Sequence, residues 1–487
     1  MGGLTWSQVI QELGRADLLS NAPAAGPEPR ALGVDSRTVE RGTFYIAVRG
    51  SQADGHRFVA DAVGKGASAV IVETPQKSAV PEIVVRDSRR AALVLGAAWY
   101  GHPGRSLTLI GVTGTNGKTT TTGIIRHLLN RNQSAGSIGT VGAFDGSDRP
   151  VSSTAGSLTT PGPIDLQATL AVLRGRGVTH VAMETSSHSL DQGRLDGLSF
   201  AAGVFTNLTR DHLDYHGTME AYLGSKLRLA DLLRPSGVEV VNLDDDAWRA
   251  LPSRNRRITF GLHPAADVRA THISLNASGS CFLLAGRFGS CEVLLPLLGD
   301  FNVSNALAAA ATALALELSL QEVVDRLATT PQIPGRMERI SDTPCTVLRD
   351  YSHTPDSLER ALRTLRPLTP GRIILVFGCG GDRDKGKRPL MGRIAADLSD
   401  LAIATSDNPR TEDPEAIIDE IERGMGGAPH LRIPDRLAAI RAALNEGQAG
   451  DTILLAGKGH ETYQVIGTRK IDFDEREIVQ GLVRGER

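Results

Sequence analysis

The sequence is poor in cysteine, in aromatic residues and in net charge. Its 487 residues include four cysteines and no CxxC pair, so neither a zinc knuckle nor a disulfide framework is predicted. The 53 basic and 55 acidic residues leave a formal net charge of −2, which removes the bulk electrostatic argument for binding nucleic acid or an anionic membrane. An anionic ligand must therefore be held by local groups.

Long apolar runs are also missing. No uninterrupted run approaches the roughly 18 residues of a membrane span, and the first residues lack the basic and then apolar pattern of a secretory signal. The Ala-rich stretch 306–316 is broken by Thr312 and followed by Glu317, so it is typical of a buried helix. We expect a cytoplasmic, folded monomer that neither binds nucleic acid nor inserts into a membrane.

The length predicts several domains, because domains cluster near about 100–200 residues. Short apolar runs such as 43–47 and 69–72 alternate with helical spacing, and Gly- and Pro-containing stretches at 101–106 and near 334–335 mark boundaries. Strands separated by helices indicate parallel sheets covered on both faces. The sequence therefore predicts an α/β protein divided into 1–106, 107–334 and 335–487.

A glycine loop follows the predicted strand 107–112. The loop, GTNGKT over 114–119, precedes helical spacing, which is the setting in which backbone N–H groups and a helix N-terminus bind phosphate. Lys118 would reach the β and γ phosphates and Thr119 would ligate Mg²⁺. Because Val112 stands where the strict GxxxxGK[ST] pattern needs glycine, the loop is a variant one. The alternative is a Gly-rich turn with an exposed lysine.

Acidic and imidazole side chains follow the next two predicted strands. Glu184 ends the apolar run 178–183, and a carboxylate at the carboxyl end of a parallel strand beside a phosphate loop is placed to hold magnesium; a capping carboxylate is the alternative. His212 and His216 have the spacing of a zinc pair, but Asp214 is the only further strong ligand nearby. A magnesium-site role for His212 is therefore favoured over structural zinc.

Nine segments occur in one order along the chain. They are GTNGKTT, METSSH, NLTRDHLDYHG, LGDFNVSNA, PGRME, DYSHTPDSL, GCGGDRDKGKRP, DNPR and GKGHE. Together they resemble the Mur ligase family, most closely the members that add meso-diaminopimelate, from Asp35 to Glu461. The resemblance implies three domains: an N-terminal one for the uridine nucleotide substrate (1–106), a central P-loop ATPase with a parallel sheet (107–334), and a C-terminal Rossmann-like one for the amino acid (335–487).

The resemblance also implies a reaction. ATP, with Mg²⁺, would phosphorylate the D-glutamyl γ-carboxylate of UDP-N-acetylmuramoyl-L-alanyl-D-glutamate, and the amine of meso-diaminopimelate would displace the phosphate to form an amide. A carboxylate is a poor electrophile, so it needs a leaving group and protection from water. A lysine-adding Mur ligase or a folylpolyglutamate-type synthetase is the alternative within this chemistry, and a P-loop nucleotide switch is the alternative from another class.

The family motifs assign site residues by matching position. Those for ATP are Gly114, Thr115, Asn116, Gly117, Lys118, Thr119, Thr120, Asn302, Asn305, Arg336 and Asp350. Those for the catalytic and metal groups are Lys118, Thr119, Glu184, His212 and Lys226, of which Lys226 matches a lysine that is carbamylated in similar enzymes. Those for the uridine nucleotide are Val34, Ser36, Ser51, Gln52, Ala53, Thr159, Thr160, Ser186, Gln192 and Arg194.

The segment DNPR is expected to select the amino acid. It follows the predicted strand 401–404, and loops at the carboxyl ends of such strands bind ligands. Arg410 can hold a carboxylate in two parallel hydrogen bonds, and meso-diaminopimelate has one carboxylate more than lysine; a Pro turn with an exposed arginine is the alternative. The full set implied for the amino acid is Arg383, Asp407, Asn408, Pro409, Arg410, Gly457 and Glu461.

Overall fold

The computed structural model describes residues 3–50, 53–151, 158–252 and 254–486. The chain forms two units, one of Met1–Arg269 with Leu307–Ser319, and the other of Ala270–Ala306 with Leu320–Arg487. We refer to them as unit 1 and unit 2. Among the described residues, none of the helices combines the length and the apolar character needed to span a bilayer.

The first part of unit 1 is a five-stranded sheet with helices packed on it. Its elements are α1 (Trp6–Arg15), β1 (Leu19–Asn21), β2 (Ala31–Gly33), β3 (Thr43–Ile46), α2 (Val59–Gly64), β4 (Ala69–Val72), β5 (Glu82–Val85) and α3 (Ser88–Trp99). The strand order is β1-β5-β4-β3-β2, parallel except for β1. The predicted strands at 43–47 and 69–72 are confirmed, and both are fully buried because they lie inside this sheet.

The next stretch of chain supplies the sheet that carries the phosphate loop. Its elements are β6 (Thr108–Thr113), α4 (Lys118–Leu129), β7 (Ala135–Gly139), β8 (Gly142–Phe144), α5 (Pro163–Gly175), β9 (His180–Glu184), α6 (Ser187–Asp191), β10 (Phe200–Phe205), α7 (Leu213–His216), α8 (Met219–Asp231), β11 (Leu233–Asn242), β12 (Arg256–Gly261), β13 (Val268–Asn276), β14 (Gly279–Gly286), β15 (Gly289–Leu295), α9 (Asp300–Ala315) and α10 (Leu320–Leu327). Within unit 1 the order is β12-β11-β10-β6-β9-β7-β8.

The register of this sheet decides which side chains meet. Strands β6, β9 and β10 are parallel neighbours, with Val112 opposite Glu184 and Thr113 opposite Phe205. Their carboxyl ends therefore lie at one edge, where the phosphate loop, Glu184 and the segment after Phe205 come together. A buried apolar cluster joins this sheet to its helices; it includes Leu109 on β6, Phe200 on β10 and Leu229 on α8.

Unit 2 contains a six-stranded sheet with helices on both faces. Its elements are β16 (Glu338–Ser341), β17 (Thr346–Asp350), α11 (Pro355–Leu365), β18 (Ile373–Phe377), α12 (Lys387–Leu398), β19 (Leu401–Ala404), α13 (Pro414–Met425), β20 (His430–Arg432), α14 (Arg436–Glu446), β21 (Thr452–Ala456), β22 (Tyr463–Ile466), β23 (Arg469–Asp472) and α15 (Glu475–Val483). The order is β16-β17-β21-β18-β19-β20, parallel from β17 to β20, and two apolar clusters cover its faces.

Helix α11 shows why the sequence forms these elements. Thr354 accepts a hydrogen bond from the N–H of Ser357 in a capping box, and Pro355 occupies the first turn, where its missing N–H costs nothing. Leu358, Ala361, Leu362 and Leu365 recur with helical spacing and are buried. The predicted α/β organisation is confirmed.

Candidate active site

The loop between β6 and α4 has the backbone shape of a phosphate-binding loop. Gly114 has φ +150° and Gly117 has φ +83°, conformations that side-chain-bearing residues rarely adopt, and a Cβ on Gly114 would collide with the Thr206 hydroxyl. Helix α4 begins at Lys118, whose ammonium donates to the carbonyls of Gly114 (3.0 Å) and Thr115 (2.7 Å). The predicted strand, loop and helix are confirmed, and Lys118 folds back over the loop.

The segment after β10 braces this loop. Asn207 accepts the Asn116 N–H on its side-chain oxygen at 2.9 Å and the Thr115 N–H on its carbonyl at 2.7 Å. The Thr206 hydroxyl donates to the Asn116 carbonyl at 2.8 Å. The loop is therefore held in shape by protein groups.

Lys226 lies beneath the loop on helix α8. Its side chain is 1% exposed, and its amine donates to the Gly114 carbonyl at 2.7 Å and sits 4.3 Å from the centre of the Tyr222 ring. Burial lowers the pKa of Lys226 well below its ordinary value, and the Lys118 charge lowers it further. A solvated surface lysine, the ordinary state of a helical lysine, is excluded by this burial. The neutral amine is the form that reacts with an electrophile such as carbon dioxide.

Tyr222 is a neighbour that the sequence motifs did not single out. Its ring is fully buried, and its hydroxyl lies 3.2 Å from the Thr115 hydroxyl. Burial raises the pKa of Tyr222 to about 12, so it stays a neutral hydrogen-bonding group. The only signal in the sequence is its position one helical turn before Lys226, on the same face of α8.

Glu184 is buried at the carboxyl end of β9. Its carboxylate accepts the N–H of Thr140 at 2.8 Å and the hydroxyl of Thr140 at 3.0 Å, and a Cβ on Gly139 would collide with it. The helix after β9 is capped by Ser186, not by Glu184, so the capping interpretation of Glu184 is excluded. Glu184 presents a carboxylate at the same sheet edge as the phosphate loop.

Three histidine rings cluster beside this edge. The ring of His188 lies 4.8 Å from that of His212 and 5.5 Å from that of His216. Burial lowers the pKa of His188 to about 4, and it also lowers the pKa values of His212 and His216, so all three imidazoles are neutral near pH 7. In the described part of the chain, no three His, Cys, Asp or Glu side chains are arranged to hold a metal ion.

Five of the predicted nucleotide-substrate residues, which follow β8 in the chain, form one hydrogen-bonded network. Arg194 donates to the Thr160 carbonyl at 3.0 Å and to the Gln192 side chain at 2.9 and 2.6 Å. The Thr160 hydroxyl donates to the Glu184 carbonyl at 2.8 Å and lies 3.4 Å from the hydroxyl of Ser186. The Thr159 hydroxyl lies 3.1 Å from the Thr140 hydroxyl and donates to it, since the Thr140 proton is directed at Glu184. These hydrogen bonds connect the predicted substrate residues to Glu184.

The remaining predicted nucleotide-substrate residues lie in the first sheet region. Ser36 is buried and its carbonyl accepts from Lys65 at 3.1 Å, while Val34 is partly buried before it. Ala53 accepts the Gly50 N–H at 2.9 Å. Ser51 and Gln52 lie outside the described residues. Arg89, which the motifs did not include, donates to the carbonyls of Gln192 (3.2 Å) and Arg49 (2.6 Å) and so ties this region to the network.

The other predicted ATP residues lie in unit 2. Asn302 and Asn305 are buried and hydrogen-bonded to each other at 2.9 Å. Helix α9 begins at Asp300, so Asn305 lies inside it and does not cap it. The Arg336 guanidinium packs 5.0 Å from the centre of the Tyr351 ring, and Asp350 accepts the Met337 N–H at 2.7 Å. Burial raises the pKa of Asp350, and this effect outweighs the hydrogen bond from Ser352, which lowers the pKa.

The DNPR loop is held at the carboxyl edge of the unit 2 sheet. Arg410 has φ +52°, its N–H donates to the Val465 carbonyl at 3.0 Å and its guanidinium donates to the Gly381 carbonyl at 2.8 Å. A Cβ on Gly381 would collide with the Pro409 carbonyl, so the glycine cluster 378–381 allows this close approach. A simple exposed Pro turn does not describe Arg410, which is only partly exposed.

Glu461 and Gly457 complete this group. The Asn408 amide donates to Glu461 at 2.8 Å, and a Cβ on Gly457 would lie 2.6 Å from an Asp407 carboxylate oxygen. Arg383 donates to the Asp382 carbonyl at 3.2 Å. Lys458, which was not predicted as a site residue, is buried between Asp407 and Glu461.

Comparisons with known proteins find matches along most of the chain. Models of the Mur ligase middle domain, of the Mur ligase glutamate ligase domain and of the Mur ligase family catalytic domain match residues 112–313, 335–459 and 29–101. The chain is 45% identical to UDP-N-acetylmuramoyl-L-alanyl-D-glutamate--2,6-diaminopimelate ligase of Geobacillus kaustophilus, over 96% of this chain and 98% of that one. It is 44% identical to the protein of the same name from Geobacillus thermodenitrificans, over 96% and 99%.

A solved structure of a protein with that same name is similar along the whole length. It covers 99% of both chains with 35% identity and a TM-score of 0.66. The order of the nine motifs, the phosphate loop beside the buried lysine and these full-length similarities agree, and the chain belongs to the Mur ligase family.

Proposed function

We propose that the protein is an ATP-dependent ligase that adds meso-diaminopimelate to the D-glutamyl γ-carboxylate of UDP-N-acetylmuramoyl-L-alanyl-D-glutamate, a step of peptidoglycan precursor synthesis. The observation that carries this proposal is the 45% identity, over 96% of the chain, to a ligase of that name. The phosphate loop, the buried carboxylate Glu184 and the DNPR loop supply the groups that such a reaction needs.

The reaction proceeds by activation and displacement. A carboxylate oxygen of the D-glutamyl side chain attacks the γ-phosphorus of ATP, ADP leaves, and an acyl phosphate forms. The neutral amine of the amino acid then attacks the acyl carbon, and the tetrahedral intermediate expels phosphate as the amide forms; the proton lost by the nitrogen balances the charge of the phosphate, which leaves as HPO₄²⁻. Lys118 and the backbone N–H groups of the loop hold phosphate oxygens and offset their charge, so catalysis is mainly positioning and electrostatic stabilisation.

The residues at the loop edge fit a magnesium ion by the chemistry of their donors. Thr119 and Glu184 offer hydroxyl and carboxylate oxygens, which Mg²⁺ prefers, and His212 can add a neutral imidazole. Lys226 joins this set once its amine carries a carbamate, which presents two oxygens. A bound Mg²⁺ would supply neutralisation of the charge on the phosphates.

Carbamylation of Lys226 also suits its surroundings. A neutral amine attacks carbon dioxide to form a carbamate and releases a proton, and the position of Lys226 next to Lys118 disfavours its cation. The modification replaces a neutral buried amine by an anion next to the Lys118 cation. The attraction between the two charges stabilises the modified side chain.

Selection of the amino acid is proposed to reside in unit 2. Arg410 and Asn408 would hold the carboxylate that lysine lacks, Arg383 and the backbone at Gly457 would contact the other carboxylate, and Glu461 would pair with an ammonium group. A site built for a polar group can reject analogues without it by about 10⁴-fold or more. This favours a diaminopimelate ligase over a lysine-adding one.

A coupled assay tests the function. Phosphate release should require both the uridine nucleotide substrate and meso-diaminopimelate, and lysine should compete poorly. Hydrolysis that is insensitive to both substrates would instead indicate a nucleotide switch, and a requirement for a folate substrate would indicate a folylpolyglutamate-type synthetase. In Arg410→Ala we expect the preference for diaminopimelate over lysine to fall by at least about 100-fold, because one charged two-bond contact is lost.

A further inference from the structure

Lys458 is a buried cation that the proposed reaction leaves without a role. It lies two residues beyond the end of β21, and its side chain is fully buried. Its ammonium nitrogen lies 3.3 Å from the Asn408 side-chain oxygen, 3.7 Å from a Glu461 carboxylate oxygen and 3.9 Å from an Asp407 carboxylate oxygen. A lysine is almost never buried in this way unless it is paired, so these three contacts account for its presence.

The contacts of Lys458 determine how the Asn408 amide is oriented. The Asn408 oxygen accepts from Lys458 and, at 2.9 Å, from the N–H of Val465. Its nitrogen donates to Glu461 at 2.8 Å. A flipped amide would place its NH₂ group against two donors and its oxygen against a carboxylate. Lys458 and Val465 therefore keep Asn408 as a hydrogen-bond donor, with one of its two N–H bonds still available for a ligand carboxylate.

Lys458 also balances charge around the two acids. The rings of Tyr463 and Phe473 lie 5.8 and 5.9 Å from the Lys458 ammonium. Burial lowers the pKa of Lys458, while the carboxylates of Asp407 and Glu461 oppose that fall. Without this cation, the charge of the two carboxylates would repel the additional carboxylate of diaminopimelate, and the site would accept lysine, which lacks that carboxylate, more readily.

We propose that Lys458 is a positioning residue that sets the preference for a dicarboxylic diamino acid over lysine, because it holds Asn408 as a donor and offsets part of the negative charge of Asp407 and Glu461. This inference rests on the proposed function of unit 2 as the amino-acid site. It assigns specificity to a side chain that acts through its neighbours.

The test compares two substitutions. Lys458→Met keeps most of the length of the side chain and removes both the charge and the donor, whereas Lys458→Gln removes the charge and keeps a donor. Lys470→Met is the matched control, because Lys470 also lies over the Tyr463 ring, at 3.5 Å, but is exposed on β23. The values of kcat and KM are measured separately for meso-diaminopimelate and lysine with the full-length enzyme, together with KM for the uridine nucleotide substrate.

We expect Lys458→Met to lower the ratio of kcat/KM for diaminopimelate to that for lysine by at least about tenfold, chiefly through a higher KM for diaminopimelate, since a hydrogen bond to a charged group is lost. The Lys458→Gln ratio should be intermediate. The KM for the uridine nucleotide substrate and all values of Lys470→Met should match those of the wild type.

Three results would overturn the inference. One is an unchanged ratio in Lys458→Met. Another is an equal loss of kcat for both amino acids that parallels a lower melting temperature, since this indicates a purely structural lysine. If Lys458→Met does not fold, an unchanged ratio in Lys458→Gln has the same consequence. Failure of the wild type to use either amino acid would instead refute the proposed function.

Discussion

The amine of Lys226 is buried near the cation of Lys118, under the phosphate loop. Its lowered pKa means that a neutral amine is present at lower pH than in a free lysine side chain, and carbamate formation needs that neutral amine. Because the carbamate forms with release of a proton, its occupancy should rise with pH. The chemistry of this one side chain therefore depends on burial and on one neighbouring charge.

Carbon-13 NMR in labelled bicarbonate should detect a carbamate on the wild-type protein. We expect the signal to disappear in Lys226→Ala and to persist in Lys470→Ala, whose lysine is exposed. Ligase activity of Lys226→Ala should fall by about 10–100-fold, the usual cost of losing a group that supports a metal site. A carbamate signal that survives in Lys226→Ala would contradict the assignment.

Asp145 holds the turn after β8. Its carboxylate accepts from the N–H groups of Ser147 (2.9 Å) and Arg149 (3.1 Å) and from the guanidinium groups of Arg149 (2.9 Å) and Arg176 (3.0 Å). Burial alone would raise its pKa, but these donors outweigh burial and lower the pKa from 3.8 to about 2. Since the folded pKa is depressed, the stabilisation is complete above the unfolded value and is lost as the pH falls toward 2.

For Asp145→Asn we expect the free energy of unfolding at pH 7 to be about 1–3 kcal/mol lower than in the wild type, because charge-assisted hydrogen bonds are lost. The pH dependence of stability between about 4 and 2 should become shallower. Tryptophan fluorescence in urea measures this, since all three tryptophans, Trp6, Trp99 and Trp248, lie in unit 1. Asp148→Asn is the control, because the Asp148 side chain is 80% exposed; equal effects in both variants would argue against the assignment.

At the level of single elements, the loop from β6 to α4 lies in close contact with the segment that follows β10. Gly114 lies against Thr206 and Asn207 with a positive φ, and Asn116 is held by both residues after β10. The loop therefore depends on a glycine at a position where neither the backbone angle nor the space suits another residue. The motif in the sequence predicted this loop, but not the strand end that braces it.

Gly114→Ala should weaken ATP binding by at least about tenfold, because the added methyl group collides with Thr206 and strains the loop. Gly175→Ala is a matched control at the end of α5, where an added Cβ meets nothing within 4 Å. Isothermal titration with a non-hydrolysable ATP analogue compares the two. Equal affinities for both variants would show that the loop conformation does not require Gly114.

The whole molecule has two units, whereas the sequence predicts three domains. The three-part division at 106 and 334 stays a prediction. The two units are defined by contacts within the chain, whereas the three predicted domains are defined by the ligand that each would bind. All described residues predicted for the uridine nucleotide lie in unit 1, and all those predicted for the amino acid lie in unit 2. The uridine nucleotide substrate should therefore stabilise unit 1, and the amino acid should stabilise unit 2.

The uridine nucleotide substrate, at 100 times its Kd, should raise the free energy of unfolding of unit 1 by about 2.7 kcal/mol. Tryptophan fluorescence reports this unfolding. Meso-diaminopimelate alone should not change the urea midpoint of the unit 1 transition, because its predicted contacts are in unit 2. Urea titrations followed by tryptophan fluorescence test both statements. A shift caused by diaminopimelate alone would contradict this distribution of sites.

Sequence alone determined the α/β class, the phosphate loop and the family, because glycine spacing, strand runs and ordered motifs are local properties of the chain. Tertiary structure decided the rest. The burial of Lys226, the Thr140 contacts of Glu184 and the position of Lys458 between two carboxylates depend on strand register and on loops far apart in sequence. Protonation state and amide orientation follow from such neighbours, and a linear pattern does not contain them.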